Sequence, residues 1–277
     1  MPWLPDLFNA RFVADLGRRQ HTDHIAAVPY YDGILAEEPD ALVGSFAGAP
    51  ELHHPVRGRI KGRDAFTRYV QDTADQLRRT HHTVEPVALL VTPRRTVEEV
   101  VLRYDSARGK VELPIAIVTD RDHNGLHELR IYHSTWPITG THATRPPLLQ
   151  PDPDAHANDV VEDYQRALAA GDVAATVAAF EPDGLVREPA GGRYTHTGTN
   201  ELTTLYTLFF SNGGGIPLEH CTVTDDGHAC ALEYNVTRWG STDLPPEAGV
   251  AVYTRGPLGR IATARIYDDT NPPLRAQ

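Results

Sequence analysis

Sulfur is scarce in this chain and positive charge is in deficit. Two cysteines, Cys221 and Cys230, and one methionine occur in 277 residues. That excludes a disulfide-dense secreted scaffold and a four-cysteine zinc site. The two cysteines flank an Asp-Asp-Gly turn. A tight hairpin at Asp226-Gly227 would make them diagonal neighbours on one sheet face, where they are expected as small buried hydrophobes. Lysine and arginine number 26 against 37 acidic residues, a formal net charge of −11. This balance argues against nonspecific binding to nucleic acid or an anionic membrane. The short basic group of Arg57, Arg59, Lys61 and Arg63 reads as a solvated loop. No run approaches the roughly 20 apolar residues of a membrane-spanning helix. The opening MPWLPDLFNARF lacks the basic-then-apolar order of a secretory signal, so a cytoplasmic location is expected. No GxGxxG after a strand, Walker loop or G-x-S-x-G elbow occurs, and no cofactor is expected. The adjacent pairs His53-His54 and His81-His82 would point to opposite sheet faces without a metal-ligand framework, so no metal is expected either.

What the chain does have is an internal echo. Tyr164 precedes Glu188 by 24 positions, and Tyr30 precedes His54 by the same number. Phe180 matches Phe46, and Pro189 matches Pro55. Further on, Leu232-Glu233-Tyr234 matches Leu102-Arg103-Tyr104, and Arg265-Ile266-Tyr267 matches Arg130-Ile131-Tyr132. The offset stays between 130 and 136 residues, so insertions are small and fall in loops. Two copies of one unit are expected: residues 1–140 with an N-terminal helical extension, a proline-rich linker at 141–157, and residues 158–277.

Each copy reads as short helices, a loop, a longer helix and then a meander of strands. In the first, a helix is predicted within residues 1–27, with His21 and His24 at its polar end. Two short helices interrupted near Pro39 follow, and then the helix DAFTRYVQDTADQLRR. The segments TVEPVALLVT, TVEEVVLRYDS, KVELPIAIVTD and LHELRIYHSTW are strands separated by turn residues. In the second copy a helix carries Tyr164, a Gly171-Asp172 break follows, and a second helix runs to Phe180. An extended run then delivers Glu188, NELTTLYTLFFSN forms the long helix, and PLEHCTVTDD, HACALEYNVTRW, AGVAVYTRG and GRIATARIYDD are strands. Helices followed by an antiparallel meander make an α+β unit in which a curved sheet wraps a helix layer. Each copy then places a tyrosine and a titratable side chain where they can meet over one cavity.

The pattern Y-x₇-G-D (Tyr164, Gly171-Asp172), the pair Glu188-Pro189 and the closing RIYDD resemble the SnoaL-like polyketide cyclases and ketosteroid isomerases of the NTF2-like superfamily. The resemblance covers both halves. It implies two tandem cone-shaped barrels, expected to pack sheet against sheet as an internal pseudo-dimer, hence a monomer with pseudo-two-fold symmetry. It also implies roles. Glu188 stands where the isomerases carry a general base, and Tyr164 where they carry an oxyanion donor. Asp268 stands at the strand-end aspartate of the cyclases, with Glu233 projecting from a preceding strand. The isomerases' protonated aspartate falls near Ala248, with Glu247 one residue away and expected to point outward. In the first copy the matching candidates are Tyr30, His54, Arg103 and His133. Arg103 with Asp105 also resembles the Arg-x-Asp of limonene-type epoxide hydrolases, with His133 in place of their second aspartate.

These residues point to a cofactor-free isomerase or cyclase of specialised metabolism, moving protons on a hydrophobic, polyketide-like small molecule. A water-poor cone raises a carboxylate's pKa toward neutrality, which suits that work. A noncatalytic small-molecule binding protein is the reading from another class, and epoxide hydrolysis or epoxide-opening cyclisation is a third. Because acids in one copy face basic residues in the other, the two sites are expected to differ.

Overall fold

A computed structural model describes residues 30–35, 39–106 and 109–274. The helix expected within residues 1–27, with His21 and His24, lies outside them. The described residues form two compact units. One comprises those up to Val111 together with Ile115–Ile131, and the other Glu112–Pro114 together with those from Tyr132 onward. No helix among the described residues is long and apolar enough to cross a membrane.

In the first unit the helices α1 (Tyr30–Leu35) and α2 (Pro39–Gly44) precede strands β1 (Glu51–His54) and β2 (Gly58–Lys61). Then come helix α3 (Arg63–Arg79) and strands β3 (Thr83–Val91), β4 (Arg95–Ser106), β5 (Gly109–Asp122) and β6 (Gly125–Tyr132). A short helix α4 (Trp136–Thr139) follows. The second unit continues with helices α5 (Val160–Ala170) and α6 (Val173–Ala178), strands β7 (Phe180–Arg187) and β8 (Thr195–Thr197), and helix α7 (Gly198–Phe209). It closes with β9 (Leu218–Asp225), β10 (Ala229–Trp239), β11 (Thr242–Arg255) and β12 (Ile261–Tyr267).

Each unit holds one six-stranded sheet. The order is β2-β1-β6-β5-β4-β3 in the first and β8-β7-β12-β11-β10-β9 in the second. Adding six to every strand of the first sheet reproduces the second. Within each sheet the first long-range pairing is parallel, β1 with β6 and β7 with β12. The first strand of each unit thus lies beside the last.

Local chemistry accounts for the entry into the second unit. Asp159 caps α5 by accepting a hydrogen bond from the Val161 amide at 3.1 Å. Val161, Tyr164 and Leu168 then fall on one helical face and enter the core. The helix stops at Gly171, whose φ of 71° is left-handed; a Cβ there would lie 2.7 Å from the Gly215 nitrogen. Asp172 starts α6 by accepting from the Ala175 amide at 2.9 Å. The Gly-Asp pair is therefore a helix stop followed by a helix cap. Helix α6 ends at Ala178 rather than Phe180, because the Ala179 carbonyl accepts the Ile261 amide at 2.9 Å and begins the β7–β12 ladder.

The core of the second unit lies between this sheet and helices α5 and α7. Leu202, Leu205 and Tyr206 of α7 pack with Cys230, Leu232, Tyr234 and Val236 of β10, Ala251 and Tyr253 of β11, and Ala264 of β12. Every second residue of these strands faces the helices, as a pleat requires. Each fully buried leucine contributes about 1.5–3 kcal/mol. The two cysteines are free and buried. They are not neighbours on one face: Cys230 lies in this core, whereas Cys221 receives a hydrogen bond from Asn235, on the opposite parity of β10.

Candidate functional site

Parity along β10, β11 and β12 decides which polar residues share the helix-facing side. Val236 and Tyr234 are core residues, and their cross-strand partners on β11 are Glu247 and Gly249. Directly paired residues point to the same face. On β12, Ala264 and Ile266 face the core and Asp268 continues their parity. Tyr234, Glu247, Gly249 and Asp268 therefore meet on one side at the end of the sheet.

The contacts bear this out. The Tyr234 hydroxyl donates to Asp268 Oδ2 at 2.7 Å, and the Thr270 amide approaches Oδ1 at 3.4 Å. A Cβ at Gly249 would lie 2.7 Å from the Tyr234 ring and 2.9 Å from the Asp268 Cβ, so only glycine lets the two close across β11. Burial raises the Asp268 pKa to about 6, the charges of Glu247 and Asp269 push the same way, and the Tyr234 and Thr270 hydrogen bonds oppose them. Glu247 does not point outward as expected: it is only 5% exposed. Ala248, paired with Asn235, takes the opposite face.

Glu188 stands at the neighbouring strand end. Val186 is a core residue, so two positions on Glu188 returns to the same side just past β7. Its Oε1 lies 2.7 Å from His196 Nε2, and His196 is the cross-strand partner of Val186. Since Arg187 pairs with Arg265, Glu188 lies about level with Ile266, and Asp268 roughly 7 Å further along the parallel strand. The Glu188–His196 pair and the Asp268–Tyr234 pair thus occupy one end of one sheet face.

Tyr164 is engaged elsewhere. Its hydroxyl is 2.9 Å from that of Tyr206, and its ring packs against Phe180 and Tyr253 in an aromatic cluster. Burial raises its pKa to about 12, which the Tyr206 hydrogen bond partly offsets. Glu233 lies on the face opposite Tyr234, only 2% exposed, and accepts hydrogen bonds from Tyr132 at 2.8 Å and Thr222 at 2.7 Å.

That opposite face carries a strap. Asp269 follows Asp268, so its carboxylate turns the other way. Its Oδ1 accepts Ser134 Oγ at 2.5 Å and meets His142 Nδ1 at 3.0 Å. Its Oδ2 accepts the Thr135 amide at 3.0 Å, Thr135 Oγ1 at 2.6 Å and the Ala143 amide at 2.8 Å. The Ala248 amide donates to the Arg145 carbonyl at 2.9 Å. Residues 134–145 are in this way tied to the positions adjoining Asp268 and Glu247. His133, at the head of this stretch, is buried with Nδ1 3.0 Å from the Ser134 carbonyl, and burial lowers its pKa.

In the first unit the Tyr30 hydroxyl bonds to that of Tyr69, repeating the Tyr164–Tyr206 pairing, and its amide donates to Glu98 at 2.7 Å. His54 Nδ1 accepts from the amides of Val56 at 3.1 Å and Arg57 at 3.3 Å, and its ring meets Tyr69 edge-on at 5.9 Å. Arg103 and Asp105 are exposed, and Arg103 pairs with Glu85. This surface position does not assemble the enclosed Arg-x-Asp arrangement of an epoxide hydrolase, and His133 belongs to the other unit. Glu51, His53 and Glu128 bring one potential ligand atom each within 4.8 Å of one another. Glu51 is already held by Arg59 at 2.6 Å and Lys61 at 2.7 Å, which lower its pKa to about 2, so a cation there would have to displace both.

Sequence reasoning missed Tyr234, His196 and the inward turn of Glu247. The apolar parity of Cys230, Leu232 and Val236 includes Tyr234 and was a usable signal. His196 sits on a three-residue strand that has no periodicity to read.

No protein-family model matches the chain, and no curated protein does. Among solved structures it is similar to an NTF2-like protein of unknown function from Cytophaga hutchinsonii, with 12% identity and a TM-score of 0.32, covering 37% of this chain and 90% of that one. It is also similar to a candidate polyketide cyclase from Sinorhizobium meliloti, with 23% identity and a TM-score of 0.34, covering 40% and 94%. A third is the epoxide hydrolase/cyclase-like enzyme SalBIII of salinomycin pyran-ring formation, with 16% identity and a TM-score of 0.31, covering 42% and 91%. The matched stretches are about the size of one unit. Two sheets of the same strand order, each formed with its own helices, make the chain two α+β units of one topology.

Proposed function

We propose that the second unit is an acid–base isomerase or cyclase acting on a hydrophobic, polyketide-like small molecule. The observation that carries this reading is Asp268, a carboxyl group hydrogen-bonded to the Tyr234 hydroxyl at 2.7 Å and raised to about 6 by burial. Such a group exchanges protons readily near neutral pH. In its ionised form Asp268 takes a proton from carbon next to a carbonyl, and the electron pair moves to the carbonyl oxygen. The Tyr234 hydroxyl, released from Asp268 once that carboxylate is protonated, donates to the oxyanion that forms. Asp268 then returns its proton at another carbon, which isomerises the substrate, or the enolate carbon attacks a second carbonyl and closes a ring, the new alkoxide oxygen taking the proton from Asp268. Glu188 with His196 supplies a second pair for proton exchange at the same edge. Tyr164 supports the site from the aromatic base beneath it.

Exchange in heavy water tests this without the natural substrate. A panel of apolar 1,3-diketones and β,γ-unsaturated ketones is incubated with the full chain, and loss of the α-proton signal is followed by proton NMR. Catalysed exchange that falls at least about a hundredfold in Asp268→Asn is the expected result, the usual range for losing a general base. Exchange that persists unchanged in Asp268→Asn would refute the assignment.

A further inference from the structure

The acids on the helix-facing side of the second unit are poorly compensated, and one has no partner. Glu247 is 95% buried, given its 5% exposure, and its Oε2 is shielded from solvent without a hydrogen bond. Among the described residues it has neither a hydrogen-bond nor an ion-pair partner. A buried carboxyl oxygen in that state is costly and calls for an explanation, such as a bound partner. Its neighbours add to the charge. Asp268 lies close enough for the two to repel, and Glu188 stands at the end of the adjacent strand.

The nearest strand guanidiniums do not relieve this. Arg187 and Arg265 pair with each other in register, one position after the core residues Val186 and Ala264, and therefore face the opposite side. Arg187 lies over the Tyr267 ring at 5.0 Å there. On the inner side His196 is engaged with Glu188, and His220, paired across strands with Tyr234, meets Gln165 Oε1 at 3.3 Å while burial lowers its pKa. Leu218, the cross-strand partner of Val236, packs against the core, as do Leu244 and Leu274.

We propose that the second unit binds a hydrophobic molecule carrying a protonated amine, with Glu247 accepting the ammonium hydrogen bond. The inference rests on the reading of this face as a small-molecule site and specifies what that molecule carries. An ammonium group fits because it has donors only, which matches an acceptor-only oxygen. It also brings the positive charge that Glu247 and Asp268 lack, and a charge-assisted hydrogen bond is about twice as strong as a neutral one. A neutral hydroxyl would satisfy Glu247 Oε2 geometrically but would leave the repulsion between the two acids in place.

The probes are 4-phenylbutylamine and 4-phenylbutan-1-ol, which share an apolar body and differ in the terminal donor. Binding to the full chain is measured by calorimetry near neutral pH, where the amine is protonated, with Glu247→Gln and the first-unit control Glu51→Gln beside the wild type. The expected result is that the amine binds on the order of 10- to 100-fold more tightly than the alcohol. Glu247→Gln abolishes that preference, and Glu51→Gln preserves it. Equal binding of amine and alcohol, or a preference that survives Glu247→Gln, overturns the inference while the hydrophobic site stands. Failure of both probes to bind overturns the inference and removes support for the site itself. The near-isosteric glutamine keeps the shape, and a matching wild-type unfolding curve shows that any lost binding is local.

Discussion

Replacing Asp268 by asparagine should make the protein more stable at alkaline pH while removing its activity. The aspartate pKa rises from its ordinary 3.8 to about 6 in the fold, chiefly through burial. An acid raised in this way favours the folded state most when protonated. Its contribution is fully present below the unfolded value and is lost as pH climbs through the folded one. A shift of about two units corresponds to about 3 kcal/mol across that window. Asparagine keeps a carbonyl oxygen for the Tyr234 hydroxyl and has no charge to bury beside Glu247 and Asp269. The difference between variant and wild type should therefore be near zero at about pH 3 and favour the variant by about 3 kcal/mol at about pH 8. Taking that difference cancels oppositely directed groups such as Glu51 and Asp269, whose pKa values are lowered. Urea unfolding followed by the fluorescence of Trp136 and Trp239, both in the second unit, measures it directly. A difference that does not vary with pH, or that turns against the variant as pH rises, would refute the placement of Asp268 in a water-poor acidic cluster.

Two further substitutions examine the same end of the sheet. Tyr234→Phe removes a hydrogen bond that holds the Asp268 pKa down, so the pKa should rise further and the base limb of the exchange rate should move to higher pH; a limb that stays put or moves down contradicts the contact. Asp269→Asn removes the acceptor charge from five donors and sets an amide against some of them, so a loss of roughly 3 kcal/mol is expected. Hydrogen exchange at the Thr135 and Ala143 amides should quicken selectively, and unchanged protection there would show that Asp269 does not hold the strap.

Repetition and periodicity were readable. The 24-residue spacing from Tyr30 to His54 and from Tyr164 to Glu188 anticipated two units, whose sheets have the same strand order. Gly171-Asp172 marked a helix boundary because left-handed backbone and side-chain capping are local demands. Asp268 was recognisable at the end of RIYDD. The neighbourhood of each candidate was not readable. Tyr164 was paired in expectation with Glu188, but the hydroxyl meets Tyr206, 42 positions away, and the carboxylate meets His196. Glu233 and Glu247 exchanged faces relative to expectation, because a single residue of register inverts a strand.

The sequence by itself determined the segment types, their repeated order and the scarcity of positive charge, since these follow from local periodicity and composition. Only the tertiary structure decided which polar groups converge. Pairing β7 beside β12 brings Glu188 and Asp268 to one edge, and the register of β11 turns Glu247 inward beside Tyr234. Such proximity depends on hydrogen-bonding between strands far apart in the chain, which no local pattern encodes.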